Sequence, residues 1–191
     1  MNKNYVITFI WAGCISAILT MLHSWHNVKF EAPTTRKIAS FISKDGLEAT
    51  NLIHFIAQGC SCSHHLADYL GKRKALSHYN EQVVIIGNMK AEEQLLRRAG
   101  YQVHIMAIDE ARDQRLISAV PLYVVYNQAK EVLYAGGYTS GAITPLSDFH
   151  DLRIAKQASE KQPVTALPLK GCAVARKYQK LLDPFGFKYG S

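Results

Sequence analysis

The run from Asn4 to Val28 carries no Lys, Arg, Asp or Glu, and it divides the chain in two. Its centre, Val6 to Leu22, reads VITFIWAGCISAILTML, with Tyr5, Trp11 and Trp25 near the ends. As a helix, about 20 such residues rise about 30 Å, the thickness of bilayer hydrocarbon, and Tyr5 and Trp25 suit interfacial aromatic belts. The alternative is a cleaved signal peptide, but the run is long against an apolar core of about 7 to 15 residues and no clean A-x-A site follows it. The expectation is therefore a retained single-pass anchor over residues 1–27, with Cys14 a small residue inside it.

Removing that segment from 191 residues leaves enough chain for one domain with a real core and too little for two. A composition 48% hydrophobic and 19% charged excludes disorder, and four cysteines exclude a disulfide-stapled miniprotein. With a single uncharged stretch, a polytopic membrane protein is excluded too. The expected organisation is an anchor over 1–27, a polar linker over 28–46, a folded domain over 47–162 and a basic extension over 163–191. That extension carries Lys170, Arg176, Lys177, Lys180 and Lys188 against Asp183 alone, whose plain reading is a packed helix with a solvated basic face; contact with anionic headgroups or an acidic partner is the sharper one.

Within the domain, β-rich and helix-periodic segments alternate. Asn51–Ala57 reads as a buried strand, a helix follows from about Ser63 to Tyr79 with Leu66, Leu70 and Leu76 inward, and Gln82–Gly87 is a second strand. Lys90–Ala99 is an amphipathic helix closed by Gly100, followed by strand Tyr101–Ile108 and a helix from about Glu110 to Ser118. Pro121 opens strand Leu122–Tyr126, Glu131–Ala135 returns antiparallel, and helices fit Pro145–Lys161 and Gly171–Leu182. Strands separated by helices imply right-handed crossovers and a mostly parallel sheet, with the closing hairpin adding an antiparallel edge.

The chemistry concentrates in Phe55-Ile56-Ala57-Gln58-Gly59-Cys60-Ser61-Cys62-Ser63-His64-His65, a strand running through a loop into a helix. Free N–H groups and the helix dipole at such a terminus stabilise a thiolate, which lowers a cysteine pKa from about 8.5 toward 7 or below, and a protonated His64 or His65 acts the same way. The thiolate is the attacking species in disulfide exchange. Two thiols one residue apart also form a soft-metal pair, so Cu(I) or Zn(II) held by Cys60 and Cys62 with His64, His65 or Cys172 is the competing reading.

At these residues the chain resembles the thioredoxin-like superfamily. Phe55, Ala57 and Cys60 match the F-x-A-x-x-C strand and loop that carry that family's nucleophilic cysteine. Val120-Pro121-Leu122-Tyr123-Val124-Val125-Tyr126-Asn127, followed by Val132-Leu133-Tyr134-Ala135-Gly136-Gly137, looks like its cis-proline strand, turn, hairpin strand and glycine. The extra helix and strand between Gly87 and Ile108 look most like the membrane-anchored, extracytoplasmic branch that includes the cytochrome c maturation thioredoxins and is close to peroxiredoxins. The resemblance covers residues 47 to 160 or so and implies an α/β thioredoxin-like fold, a central mixed sheet flanked by helices with an inserted helix-strand unit. It further implies a thiol–disulfide oxidoreductase or isomerase acting on protein thiols without a cofactor, in which Cys60 attacks, Cys62 resolves and Pro121 holds the partner strand. The domain would then face the periplasm from a bacterial inner membrane.

The departures are specific. The family's C-x-x-C would place its second cysteine at Ser63, whereas Cys62 comes one position early and would close a tighter, strained and more oxidising ring. His54 stands where many thioredoxins keep a buried acid, and is read as a proton shuttle or a satisfied core histidine. Cys172, at the expected start of the last helix, is a possible third thiol with a lowered pKa, resolving Cys60 or completing a metal set. A redox-inactive interaction module is the third reading. Nothing in the pattern points to nucleic acid. The positive charges beside the anchor, Lys3 and the α-amine before it and Lys29, Arg36 and Lys37 after it, mildly favour a cytoplasmic domain, against the resemblance.

Overall fold

The structure, a computed structural model, describes residues 3–26, 30, 50–113, 117–183, 186 and 188–189. The apolar run Leu52–Ala57 forms β1 (Thr50–Ala57), buried along its whole length as befits the central strand of a two-sided sheet. α2 (Ser61–Arg73) crosses to β2 (Asn80–Ile86), and α3 (Lys90–Arg98) crosses to β3 (Gln102–Met106). α4 (Ile108–Asp113) leads toward the short β4 (Ala119–Val120), β5 (Leu122–Asn127) and β6 (Val132–Gly136). α5 (Asp151–Ser159), β7 (Cys172–Ala173) and α6 (Arg176–Leu182) complete the chain after α1 (Lys3–His26) at its start.

Five strands make one sheet in the order β3-β2-β1-β5-β6. β1 runs parallel to β2 with Phe55 opposite Val84, and β2 runs parallel to β3. β5 is antiparallel to both β1 and β6, so the sheet is evenly mixed rather than mostly parallel. The short link from β4 through Pro121 brings the chain back beside β1 as a reversed strand, which the alternation of elements did not reveal.

The two-residue period of the strands sorts the core onto two faces. Ile53, Phe55, Val84, Ile86, Leu122 and Val124 point to one face, which Ala111, Leu169, Ala173 and Val174 cover. Leu52, Ile56, Val83, Ile85 and Val125 point to the other, covered by Leu66 and Leu70 of α2, Leu96 of α3 and Ile154 of α5. Each such side chain contributes about 1.5–3 kcal/mol on burial. Leu169, Ala173 and Val174 lie in the expected extension yet share the core of the domain.

Two glycines let that extension lie against the sheet. A Cβ on Gly137 would stand 2.2 Å from the Pro168 carbonyl oxygen, and one on Gly171 1.9 Å from the Val120 oxygen.

Several helix bounds differ from expectation. α2 stops at Arg73 because Lys74 takes a left-handed φ of 65°, its N–H returning to Leu70 O, so Leu76 follows the helix instead of lying in it. Residues 144–147 make a hydrogen-bonded turn, with Thr144 N–H donating to Ser147 Oγ at 2.8 Å, and α5 starts only at Asp151. The stretch Gly171–Leu182 is split. Cys172 and Ala173 are strand, paired with Val120 and Ala119, and the helix begins at Arg176. Among the described residues no helix is long and apolar enough to cross a membrane. α1 nevertheless exposes apolar side chains around its surface, including Ile7, Phe9, Ile10, Trp11, Ile18 and Leu19.

Candidate active site

β1 ends at Ala57, and the turn Gln58-Gly59, with Gly59 at φ +72°, swings the chain into α2. The turn is pinned to the end of β2, with Gln58 N–H donating to Ile86 O at 2.9 Å and Asn88 N–H donating to Gln58 Oε1 at 2.7 Å. Cys60 is the N-cap residue of α2, with extended backbone, and its carbonyl accepts from Ser63 N–H at 2.9 Å. Its sulfur therefore sits at the positive end of the helix, as the motif predicted.

Three thiols meet there. Cys172 and Cys62 stand close enough to Cys60 to act on its ionisation as hydrogen-bond donors, and the Ser63 hydroxyl acts with them. Cys60 lies 3.9 Å from the Val120 carbonyl, whose peptide to Pro121 is cis, so Pro121 is beside the site. Cys62 is half-buried, with its sulfur 3.7 Å from Ile143 O in the loop before α5. Cys172 reaches the site from β7, in register with Val120, and Lys188 Nζ stands 3.9 Å from its sulfur.

The hydrogen bonds from Cys172 and Cys62 hold the Cys60 pKa far below the ordinary thiol range, outweighing the burial that opposes it. The same hydrogen bond to Cys60, with burial, pushes Cys62 and Cys172 up. The cluster thus loses its first proton from Cys60 and keeps the other two. The expectation of a lowered pKa at Cys172 is corrected: it heads no helix and serves as a donor to the Cys60 thiolate.

His54 occupies a different environment. It lies on β1 with a fully buried ring, Nδ1 2.8 Å from Tyr138 Oη and Nε2 2.7 Å from Glu81 Oε1, and it stacks on Tyr123. Glu81 also pairs with Arg73, and Arg73 with Asp151 at 3.2 Å. This network belongs to the junction of α2, β2 and α5, with the fixed contacts of a satisfied core histidine. His64 turns to α3, where Nδ1 meets Glu92 Oε1 at 2.6 Å, and His65 is half-buried on α2. Among the described residues no group of three or more His, Cys, Asp or Glu could hold a metal ion.

Two contributors were not singled out from sequence. Ser63 registered only as the position of a missing cysteine, although a serine at the third helical position after an N-cap is well placed to reach back to it. Lys188 had no signal, because its approach to Cys172 depends on how the chain returns after α6.

The chemistry available is nucleophilic attack by a preformed thiolate with two further thiols at hand. Cys60 is 0% exposed, covered in part by β7.

The family described as Domain of unknown function (DUF6436) matches residues 27–174. No curated protein matches the chain. Among solved structures, a hypothetical protein from Sinorhizobium meliloti is 20% identical, with 78% of this chain and 91% of that one covered at a TM-score of 0.51, a likeness of fold. A thioredoxin-like protein in its oxidised form is 11% identical over 71% of this chain and 93% of that one, with a TM-score of 0.45. A thiol:disulfide interchange protein of the thioredoxin family from Chlorobium tepidum is 16% identical over 58% and 79%, at 0.37.

Proposed function

The chain belongs to the family described as Domain of unknown function (DUF6436), and we propose that it is a thiol–disulfide oxidoreductase of protein substrates, working as an oxidant or isomerase. The carrying observation is the convergence of two thiols on Cys60 at the head of α2 beside Pro121. In this reading a substrate thiolate attacks a disulfide between Cys60 and a neighbouring cysteine, forming a mixed disulfide on Cys60 and releasing the neighbour's thiolate, and a second substrate thiol then displaces Cys60 as its stabilised thiolate. As an isomerase the Cys60 thiolate instead attacks a substrate disulfide and another substrate thiol displaces it. Stabilising the thiolate stabilises the reduced form, which makes the corresponding disulfide more oxidising.

Tethering through α1 and a periplasmic location complete the proposal. Their support is the apolar, exposed surface of α1 and the need of a disulfide cycle for an oxidising compartment.

Redox titration of the purified protein with thiol counting tests the activity. Two thiols should be lost together at one defined potential, and Cys60→Ser should abolish turnover of a mixed-disulfide substrate. Turnover by that variant at the wild-type rate would discard the mechanism.

A further inference from the structure

Cys60 has two candidate partners, and the backbone treats them differently. Cys60 caps α2 and Cys62 lies in its first turn, two residues on, so a Cys60–Cys62 bridge would close a tight ring at the head of the helix. The Cys62 sulfur acts on Cys60 but also lies 3.7 Å from Ile143 O. Cys172 comes from a separate strand whose register sets it directly opposite Val120, the residue whose carbonyl lies 3.9 Å from the Cys60 sulfur.

β7 is firmly built into that position. On its inner side Val174 N–H donates to Ser118 O at 3.0 Å, and Gly171 has no room for a side chain against Val120 and Pro121. On its outer side Ala173 N–H donates to Tyr189 Oη at 3.1 Å, and Gln179 Nε2 donates to Ala173 O at 3.1 Å. Asp183 Oδ2 accepts from the N–H groups of Lys188 and Tyr189 at 2.6 and 2.7 Å, which fixes the return that sets the Lys188 ammonium near Cys172. A positive charge there favours the thiolate of Cys172 when it is called on to attack.

We propose that Cys172, rather than Cys62, is the resolving thiol of Cys60, delivered by a C-terminal strand that occupies the edge of β4 beside Pro121. This rests on the oxidoreductase reading above. A low-molecular-weight or protein disulfide R–S–S–R takes the Cys60 thiolate, giving Cys60–S–S–R and R–S⁻. Cys172 gives up its proton to that leaving thiolate, and its own thiolate attacks the Cys60 sulfur. The products are a Cys60–Cys172 disulfide and a second R–S⁻, so two protein thiols are oxidised and one external disulfide is reduced.

The test uses the full chain, oxidised with a limiting amount of glutathione disulfide, alkylated and digested with trypsin. Cys60 and Cys62 share the peptide Asp45–Lys72, whereas Cys172 falls in Gly171–Arg176. The expected product is a cross-link between these two peptides, retained in Cys62→Ser. Cys172→Ser should hold the glutathione adduct on Cys60 at least tenfold longer than wild type. A wild-type disulfide confined to Asp45–Lys72, or resolution of the adduct at an unchanged rate in Cys172→Ser, overturns the assignment and leaves the oxidoreductase reading standing. Absence of any glutathione adduct on Cys60 even in the Cys62→Ser, Cys172→Ser double variant overturns both.

Discussion

At the scale of single residues, Ser63 carries more than a missing cysteine's place. Its Oγ accepts from Ala57 N–H at 3.0 Å while its hydroxyl and N–H serve Cys60, so one buried side chain couples the end of β1 to the thiolate. Ser63→Ala should leave the Ala57 N–H unpaired, costing about 1–3 kcal/mol, and raise the Cys60 pKa by removing one of its donors. The pH profile of Cys60 alkylation should move to higher pH in this variant, measured in a Cys62→Ser, Cys172→Ser background alongside its Ser63 parent. A profile that does not move would show that the serine is structural only. The sequence made Cys60 legible because strand, glycine turn and helix start leave their own marks. It left Ser63 obscure because a serine at a helix start has many uses and only the fold shows which one is taken.

At the scale of elements, the junction of α2, β2 and α5 joins apolar packing to a buried network of charges. Glu81 is 1% exposed on its side chain, and although burial alone would raise its pKa, His54 and Arg73 bring it down to about 2. A carboxyl whose folded pKa lies below the unfolded value of about 4.3 adds stability that is complete above that value and is lost as pH falls toward about 2. The wild-type urea midpoint should therefore drop between pH 5 and pH 3, and Glu81→Gln should lower the midpoint at pH 7 while flattening that dependence. An equally steep decline in the variant would remove Glu81 from the account. Arg73→Met should cost about 3–5 kcal/mol, since it takes the guanidinium from two buried carboxylates, Glu81 and Asp151. None of this was visible in the sequence beyond His54, because Arg73, Glu81 and Asp151 are ordinary charged residues until three elements bring them together. The strands were legible for the opposite reason: continuous runs such as NLIHFIA and QVVII admit few other structures. Gly171–Leu182 misled because the periodic KYQKLL drew the helix backward over Cys172, whose strand pairing depends on β4, a partner more than fifty residues away in the sequence.

At the scale of the whole molecule, two features could each bring this protein to a membrane, and they differ in physics. The chain carries a formal net charge of +7, which attracts anionic headgroups over a Debye length of about 8 Å at physiological salt and only about 3 Å at 1 M. α1 offers apolar surface instead, with Phe9 78% and Trp11 67% exposed, and insertion of such surface into hydrocarbon is insensitive to salt. If α1 is the anchor, the full chain should stay with the membrane fraction through a 1 M salt wash and leave it only with detergent, and removal of residues 1–27 should release it. Release by salt alone would make the attachment electrostatic and return the basic C-terminal residues to consideration. Orientation is a separate matter, because Lys29, Arg36 and Lys37 outnumber Lys3 and the α-amine on the other side of the apolar run. A reporter joined after Ser191 that is active only when exported should be active if the site works in an oxidising space. Activity of a cytoplasm-specific reporter instead would place three thiols in a reducing pool, where a strongly stabilised Cys60 thiolate would stay reduced and the oxidant reading would fail.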